Sequence, residues 1–139
     1  MTHAPALATV LCLAASLAQA QDPARTDPGK YRVILENART RVLEFRDHPG
    51  DRTHAHRHPD SVLYALSDFA RRLTFPDGKS MTRTFKKGDV VFLEGQIHIG
   101  ENIGASDTHV ILVEFKEPPP LPLPSPSPSP SPKVAPALP

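Results

Sequence analysis

Short segments that alternate apolar and polar residues dominate the middle of this chain, between residues 30 and 117. Turn signals separate them about every 8–12 residues; in Pro76-Asp77-Gly78-Lys79, for example, proline presets φ and glycine accepts a positive φ. The segments predicted as strands are 32–36, 41–47, 61–66, 71–75, 81–85, 90–93, 97–102 and 108–115. Because such strands must bury one face and protect their edges, the pattern predicts an all-β sandwich or closed barrel of short antiparallel strands.

The two ends of the chain differ from this middle. Residues 4–18 form an apolar run without charge, shorter than the ~20 residues that span a bilayer, and Ala18-Gln19-Ala20 has the small-x-small pattern of a cleavage site. We predict a secretory signal peptide at 1–20, a short linker at 21–30, and no transmembrane segment in the mature chain. The protein is therefore expected to be exported, either periplasmic or secreted.

The other end is rich in proline. Residues 118–139 contain 11 of the 17 prolines of the chain, and four of these prolines belong to consecutive Ser-Pro repeats. Proline at every second position fixes φ and removes backbone donors, which predicts a disordered, extended polyproline II tail. The folded domain is therefore expected at residues 31–117.

Composition excludes several classes of function. The 16 Lys and Arg nearly balance the 15 Asp and Glu, so no electrostatic argument favours a nucleic-acid partner. The single cysteine, Cys12, lies in the predicted signal peptide, so a metal site in the mature chain must use histidine and carboxylate ligands. The sequence has no nucleophile elbow, phosphate-binding glycine loop or dinucleotide fingerprint.

Three of the seven histidines stand at alternate positions, at 54, 56 and 58. On an extended segment, residues i and i+2 point to the same side, so His56 and His58 can present two imidazoles to one divalent ion. A solvated histidine-rich loop is the alternative. Farther along, a turn at Gly88, a predicted strand and a second turn precede His98, and such a hairpin could return His98 opposite the first pair.

These two stretches resemble the two motifs of the cupin superfamily. The first reads Gly50-x5-His56-x-His58, and the second reads Gly88-x5-Glu94, then His98-x3-Asn102. The resemblance covers about residues 31–116 and implies a single-domain cupin-type β-barrel or jelly roll. It also implies that His56, His58 and His98 are ligands of one divalent metal ion: Fe, Mn, Zn, Ni or Cu.

The sequence departs from the cupin pattern after the first histidine pair. The glutamate that usually follows is missing, and Asp60 is the only carboxylate nearby. Asp60 and His54 are therefore candidates for an additional ligand. Two more residues, Tyr64 and Asn102, are weaker candidates for contact with a substrate.

The predicted function is a small exported cupin that binds a divalent metal and binds or acts on a small molecule in the barrel. If it is an enzyme, the family implies a metal-dependent dioxygenase or isomerase type. The missing glutamate motivates an alternative, a metal-free small-molecule binding module, and the Ser-Pro tail motivates a third, an interaction protein. A homodimer is also predicted, because open strand edges can pair with a second copy.

Several charged residues receive weaker predictions. The outward faces of one hairpin are expected to carry Arg71, Arg72, Arg83, Lys86 and Lys87, which could flank an anionic substrate. His48 is expected in a loop, and His109 in the core or at the rim of the last strand.

Overall fold

Nine short strands form two antiparallel sheets in residues 21–117, the part of the chain that the computed structural model describes. The predicted signal peptide and proline-rich tail lie outside the described residues. The elements are α1 (Pro23–Thr26), β1 (Tyr31–Glu36), β2 (Thr40–Asp47), β3 (His56–His58), β4 (Ser61–Ala65), β5 (Phe69–Thr74), β6 (Ser80–Phe85), β7 (Val90–Leu93), β8 (Gln96–Asn102) and β9 (Thr108–Phe115). The predicted all-β architecture is confirmed.

The two sheets differ in size and enclose a shared core. The larger has the strand order β1-β2-β9-β4-β7, and the smaller has the order β3-β8-β5-β6. Strand β9 lies at the centre of the larger sheet, paired with β2 over the full length of both strands. Both sheets contribute to one apolar core, formed by Tyr31, Leu43, Phe45, Leu63, Ala65, Phe69, Phe85, Val110 and Leu112.

The period-two pattern of the sequence corresponds to the burial of most strands. In β9, Thr108, Val110, Leu112 and Glu114 are buried, whereas the residues between them are only partly buried. Successive side chains of a strand point to opposite faces, so the first set faces the smaller sheet. Glu114 is the one charged member of this inward row, and it reaches the site described below.

The predicted hairpin around residues 71–85 is present as β5 and β6, which pair from Phe69 with Phe85 to Thr74 with Ser80. Its turn contains Gly78 at φ 81°, a conformation that glycine adopts without the steric cost of a Cβ atom. This hairpin supplies the buried aromatic pair Phe69 and Phe85, whose rings stack with centroids 4.6 Å apart.

The segment predicted as a linker, 21–30, packs against the domain instead. Asp22 caps the single helical turn of α1, since its carboxylate accepts a hydrogen bond from the Ala24 amide at 3.0 Å. Asp27 is buried, and its carboxylate accepts a hydrogen bond from the His54 amide. No helix in residues 21–117 combines the length and apolar character needed to cross a membrane.

Candidate metal centre

Pairing of β3 with β8 gathers three histidines at one end of the smaller sheet. His56 lies directly opposite His98 in the register, and His58 lies opposite Gln96. One ring nitrogen from each of the three histidines lies within 4.8 Å of the others. The three residues are only 0–7% exposed, so the cluster is part of the protein interior.

Hydrogen bonds fix the tautomers of two of these histidines. His58 donates from Nδ1 to Glu114 Oε1 at 2.6 Å, and His56 donates from Nδ1 to the His54 carbonyl oxygen at 2.8 Å. Because a carboxylate and a carbonyl can only accept, both Nδ1 atoms must carry the proton. The lone pair of each neutral ring is then at Nε2, as in histidines that bind metals through Nε2.

The third histidine has an unsatisfied nitrogen. Nδ1 of His98 is buried and has no hydrogen-bond partner within residues 21–117. A buried polar atom without a partner carries a desolvation cost, which a ligand bound to this nitrogen would relieve.

The local environment keeps the His56 and His98 rings neutral. Burial lowers the pKa of His56 to about 4 and that of His98 to about 2, and neighbouring imidazoles add to both shifts. Taking a cation out of water is unfavourable, so burial favours the uncharged form of a histidine. At neutral pH the two rings are therefore unprotonated, the form in which imidazole coordinates a metal ion.

Tyr31 contacts the centre from β1. Its hydroxyl lies 3.2 Å from Nε2 of His56, and burial raises its pKa above the ordinary value. The phenol is therefore protonated and donates to the lone pair of His56. A metal ion that used this lone pair would have to displace the Tyr31 hydroxyl.

Glu114 connects the centre to the N-terminal segment. The guanidinium of Arg41 lies 3.8 Å from Glu114 Oε2 and 2.9 Å from the carboxylate of Asp22. The chain Asp22, Arg41, Glu114, His58 thus alternates acceptors and donors from the start of α1 to the histidine cluster. This network holds the His58 ring in one orientation.

A cavity of about 60 Å³ lies between the sheets, next to the cluster. His58, His98, Tyr31 and Gln96 line it on one side, and Arg71 and Arg83 contribute cationic side chains. The rest of the lining is mainly apolar and includes core residues such as Leu63 and Val110. Within residues 21–117, no aspartate or glutamate lines this cavity.

Arg71 is inside the barrel, which corrects the prediction of an outward position. The residue is 8% exposed, and its Nη1 donates to Asp47 Oδ2 at 2.6 Å. In β5 the inward positions are those of Phe69 and Arg71, whereas Arg72 points outward and pairs with Glu101 at 3.4 Å. The buried Asp47 on β2 makes the inward position possible for an arginine.

Comparison with known proteins identifies the fold. No family model and no curated protein matches the sequence. Among solved structures, a cupin domain protein of Bordetella pertussis Tohama I is similar with a TM-score of 0.57 and 29% identity, over 63% of this chain and 92% of that chain. This chain is a cupin-superfamily protein, with one cupin domain in residues 21–117.

Two other solved structures are more distant from this cupin. An uncharacterised protein with a double-stranded β-helix domain from Klebsiella pneumoniae is 24% identical, with a TM-score of 0.49, over 63% of this chain and 73% of that chain. The polyketide cyclase RemF of Streptomyces resistomycificus is 23% identical, with a TM-score of 0.48, over 65% of this chain and 66% of that chain.

Among the histidines and carboxylate proposed as metal ligands, the cupin fold brings together His56, His58 and His98. It does not bring the two additional candidates to them. The His54 ring is 79% exposed and lies 2.9 Å from Asp27, because β3 begins only at His56 and alternation does not extend back to residue 54. Asp60 instead accepts a hydrogen bond from the Gly95 amide at 2.7 Å.

Neither residue predicted to contact a substrate faces the cavity. Tyr64 is 44% exposed on the outer face of β4, where its neighbours Leu63 and Ala65 point inward. Asn102 is fully buried, and its amide donates to Asp47 Oδ1 at 3.2 Å and to the Ser106 carbonyl at 2.9 Å. Asn102 therefore orients Asp47, and Tyr64 lies on the outer surface.

The remaining histidines lie apart from the centre. His48 is exposed and 2.9 Å from Asp107, as its predicted loop position suggested. His109 is on the outer face of β9, 2.9 Å from Glu44, and so does not support the metal ligands. Sequence reasoning missed Tyr31 and Glu114; for Glu114, the signal was its place in the inward-facing row of β9.

Proposed function

We propose that this protein binds one divalent metal ion through His56, His58 and His98, and that it binds or acts on a small molecule in the adjacent cavity. The observation that carries the proposal is the convergence of three buried ring nitrogens within 4.8 Å of one another. The donor set fits a metal because the His56 and His98 rings are neutral at neutral pH and because the Nδ1 protons of His56 and His58 are already held by acceptors.

Each nearby residue has a distinct role in this proposal. Three imidazoles suit Zn, Fe, Mn, Ni or Cu, and such an ion, when bound, would polarise an oxygen of the small molecule as a Lewis acid. Glu114 holds the His58 ring and keeps its proton at Nδ1. The Tyr31 hydroxyl donates to the lone pair of His56 in the metal-free protein, and the apolar cavity wall can contact a hydrocarbon part of the small molecule.

Export is also part of the proposal, on the basis of the apolar run and the small-x-small pattern before residue 21. The mass of the protein recovered from the producing cell tests it. Cleavage after Ala20 is expected, and the full-length mass in the cytoplasmic fraction would contradict export. A homodimer stays a prediction, which sedimentation of the full chain would test.

Elemental analysis of the full chain, purified without chelator, tests the metal centre. About one metal ion per chain is expected, and His56→Ala and His98→Ala should each reduce it to near zero, because two histidines alone bind divalent ions weakly. His54→Ala is the matched control and should retain the metal, since its ring points to Asp27. Absence of metal from the wild type after reconstitution with each candidate ion would reject the metal centre.

A metal-free binding module is the second candidate, favoured by the Tyr31 hydroxyl on His56 Nε2 at 3.2 Å. That contact satisfies one of the three nitrogens without an ion. The two candidates differ in their response to chelator: a ligand of the binding module would remain bound after chelation, whereas binding that uses the metal would be lost.

Glu114→Gln is expected to lower metal affinity by about 10–100-fold, because outer carboxylates orient and polarise a ligating histidine. The measurement is a competition titration against a coloured chelator. Glu44→Gln is the matched control, since Glu44 accepts from His109 at 2.9 Å on the outer face, away from the centre. Equal losses in both variants would contradict a specific role for Glu114.

A further inference from the structure

One face of the larger sheet is apolar across all five strands. The register places one row of apolar side chains across this face, with one residue from each strand: Leu35, Val42, Val113, Val62 and Phe92. Val62 stands two positions before Tyr64 on β4, so the row lies on the outer side of the sheet, away from the smaller sheet. At the β7 end of the row, Phe92 is 58% exposed.

The exposed apolar surface is widest where β9, β4 and β7 lie side by side. Tyr64 and Val90 are paired in the next row, and both are exposed. Phe115, the last residue of β9, is also exposed, and its ring centre lies 6.5 Å from that of Phe92. The outer apolar patch consists of these four residues: Tyr64, Val90, Phe92 and Phe115. A contiguous patch on a protein surface marks an interaction site, whereas single exposed apolar residues are ordinary.

The chain leaves β9 beside this patch. The Lys116 amide donates a hydrogen bond to the Arg39 carbonyl oxygen at 2.8 Å, which holds the backbone to the sheet one residue after Phe115. Shortly afterwards, residues 118–124 read Pro-Pro-Pro-Leu-Pro-Leu-Pro and carry no charge. We propose that residues 118–124 dock on the outer apolar patch and cover it within the same chain.

The segment 118–124 is long enough for this contact. In a polyproline II conformation, its residues extend over about 20 Å, at ~3.1 Å per residue. Neighbouring strands lie about 4.8 Å apart, so the distance from β9 across β4 to β7 is about 10 Å. Because the reach is about twice this distance, the segment can turn onto the face after Glu117 and still cross both strands.

The patch and the segment match in chemistry. Aromatic-lined surfaces are the usual receptors for proline-rich segments, which bind them in the polyproline II conformation. Here Tyr64, Phe92 and Phe115 supply the rings, and Leu121 and Leu123 supply apolar side chains between the prolines. Neither the patch nor the segment carries a charge, so docking leaves no ion without water. Prolines restrict the segment before it binds, so docking costs little conformational entropy.

A tethered segment has an advantage over a second copy of the chain as the occupant of the patch. Because so few residues link it to β9, its effective concentration at the patch is in the millimolar range. A second copy is present only at its own concentration in solution. A contact with a dissociation constant of about 1 mM would therefore cover the patch in about half of the molecules without any dimer.

Fluorescence of the full chain tests the docking. The sequence has no tryptophan, so Phe92→Trp places a single fluorescent reporter in the patch. In this background, Leu121→Ser/Leu123→Ser should shift the emission to longer wavelengths and raise the acrylamide quenching constant about twofold, because the ring loses its cover in the half of the molecules that had it. Val134→Ser/Leu138→Ser, in the same proline-rich region but farther from β9, is the matched control and should leave both quantities unchanged.

A second measurement keeps the native phenylalanine. In NMR spectra of the wild type, we expect nuclear Overhauser contacts from the methyl groups of Leu121 and Leu123 to the rings of Phe92 and Phe115. Absence of these contacts would overturn the inference, as would equal quenching in the two double variants. Shielding of the patch that increases with protein concentration, together with dimers in sedimentation, would assign the patch to a second copy and would overturn it as well. None of these results depends on whether the histidine cluster holds a metal ion.

Discussion

Replacement of Arg71 by methionine is expected to lower the free energy of unfolding by about 3–5 kcal/mol. The Asp47 side chain is 0% exposed, and its Oδ2 accepts a hydrogen bond from Arg71 Nη1 at 2.6 Å. Without the arginine, Asp47 keeps a buried charge whose remaining partner is the amide of Asn102. A loss of this size is a large part of the stability of an ordinary domain, and urea denaturation followed by circular dichroism measures it.

A second substitution tests the cause of this loss. The double variant Asp47→Asn/Arg71→Met removes both charges and should recover much of the stability, because a buried ion pair can be replaced with little cost once neither charge is left unpaired. Arg72→Met is the control on the exposed side of β5 and should change stability by less than about 0.5 kcal/mol. If Arg71→Met were as stable as Arg72→Met, the buried ion pair would not be the determinant described above.

The strands and the histidine cluster could be predicted from the sequence because both depend on local patterns. Alternation and turn residues placed β7 and β9 at the bounds observed, and the spacing of His56 and His58 fixed them on one side of an extended segment. The position of His98 next to this pair could be predicted only if its strand folded back beside β3. The β3–β8 pairing, in which His98 lies opposite His56, has this arrangement.

For some strands, the side that faces the core could not be predicted, because both sides of the strand carry apolar residues. In the segment 62–66, Val-Leu-Tyr-Ala-Leu, either phase of alternation yields an apolar row. Only the packing of the two sheets selects Leu63 and Ala65 as inward residues and turns Tyr64 to the surface. A one-residue change of phase exchanges the two faces of a strand, so the prediction for Tyr64 had no local basis.

Contacts between residues far apart in sequence were also inaccessible. Arg71 faces inward because Asp47, on β2, accepts a hydrogen bond from its guanidinium. Glu114 accepts a hydrogen bond from His58, which is 56 positions away in the sequence. Neither pairing leaves a local trace, since each depends on which strands become neighbours. The partners of these buried charges therefore had to be found in three dimensions, whereas the histidine spacing was visible in the sequence.

Acidification from pH 6.5 to 4 is expected to lower the free energy of unfolding of the metal-free chain by a few kcal/mol. This magnitude follows from the lowered histidine pKa values, since one pKa unit corresponds to about 1.4 kcal/mol. Burial lowers the pKa of His56 to about 4 and of His98 to about 2. Unfolding exposes both rings and returns their pKa to about 6.5. Below this pH the unfolded chain therefore binds more protons than the folded chain does. The free energy of unfolding must therefore fall as the pH drops below 6.5.

The pH range of the loss differs between the two rings. The contribution of His56 is lost between about pH 6.5 and pH 4, whereas that of His98 continues to decline toward pH 2. Urea denaturation at several pH values in the presence of chelator measures the slope, and His98→Gln should flatten it by removing one buried ring that resists protonation. His48→Gln is the exposed control and should not flatten it, because Asp107 raises the pKa of that histidine. A slope unchanged by His98→Gln would show that the acid sensitivity arises from the carboxylates and not from the histidine cluster.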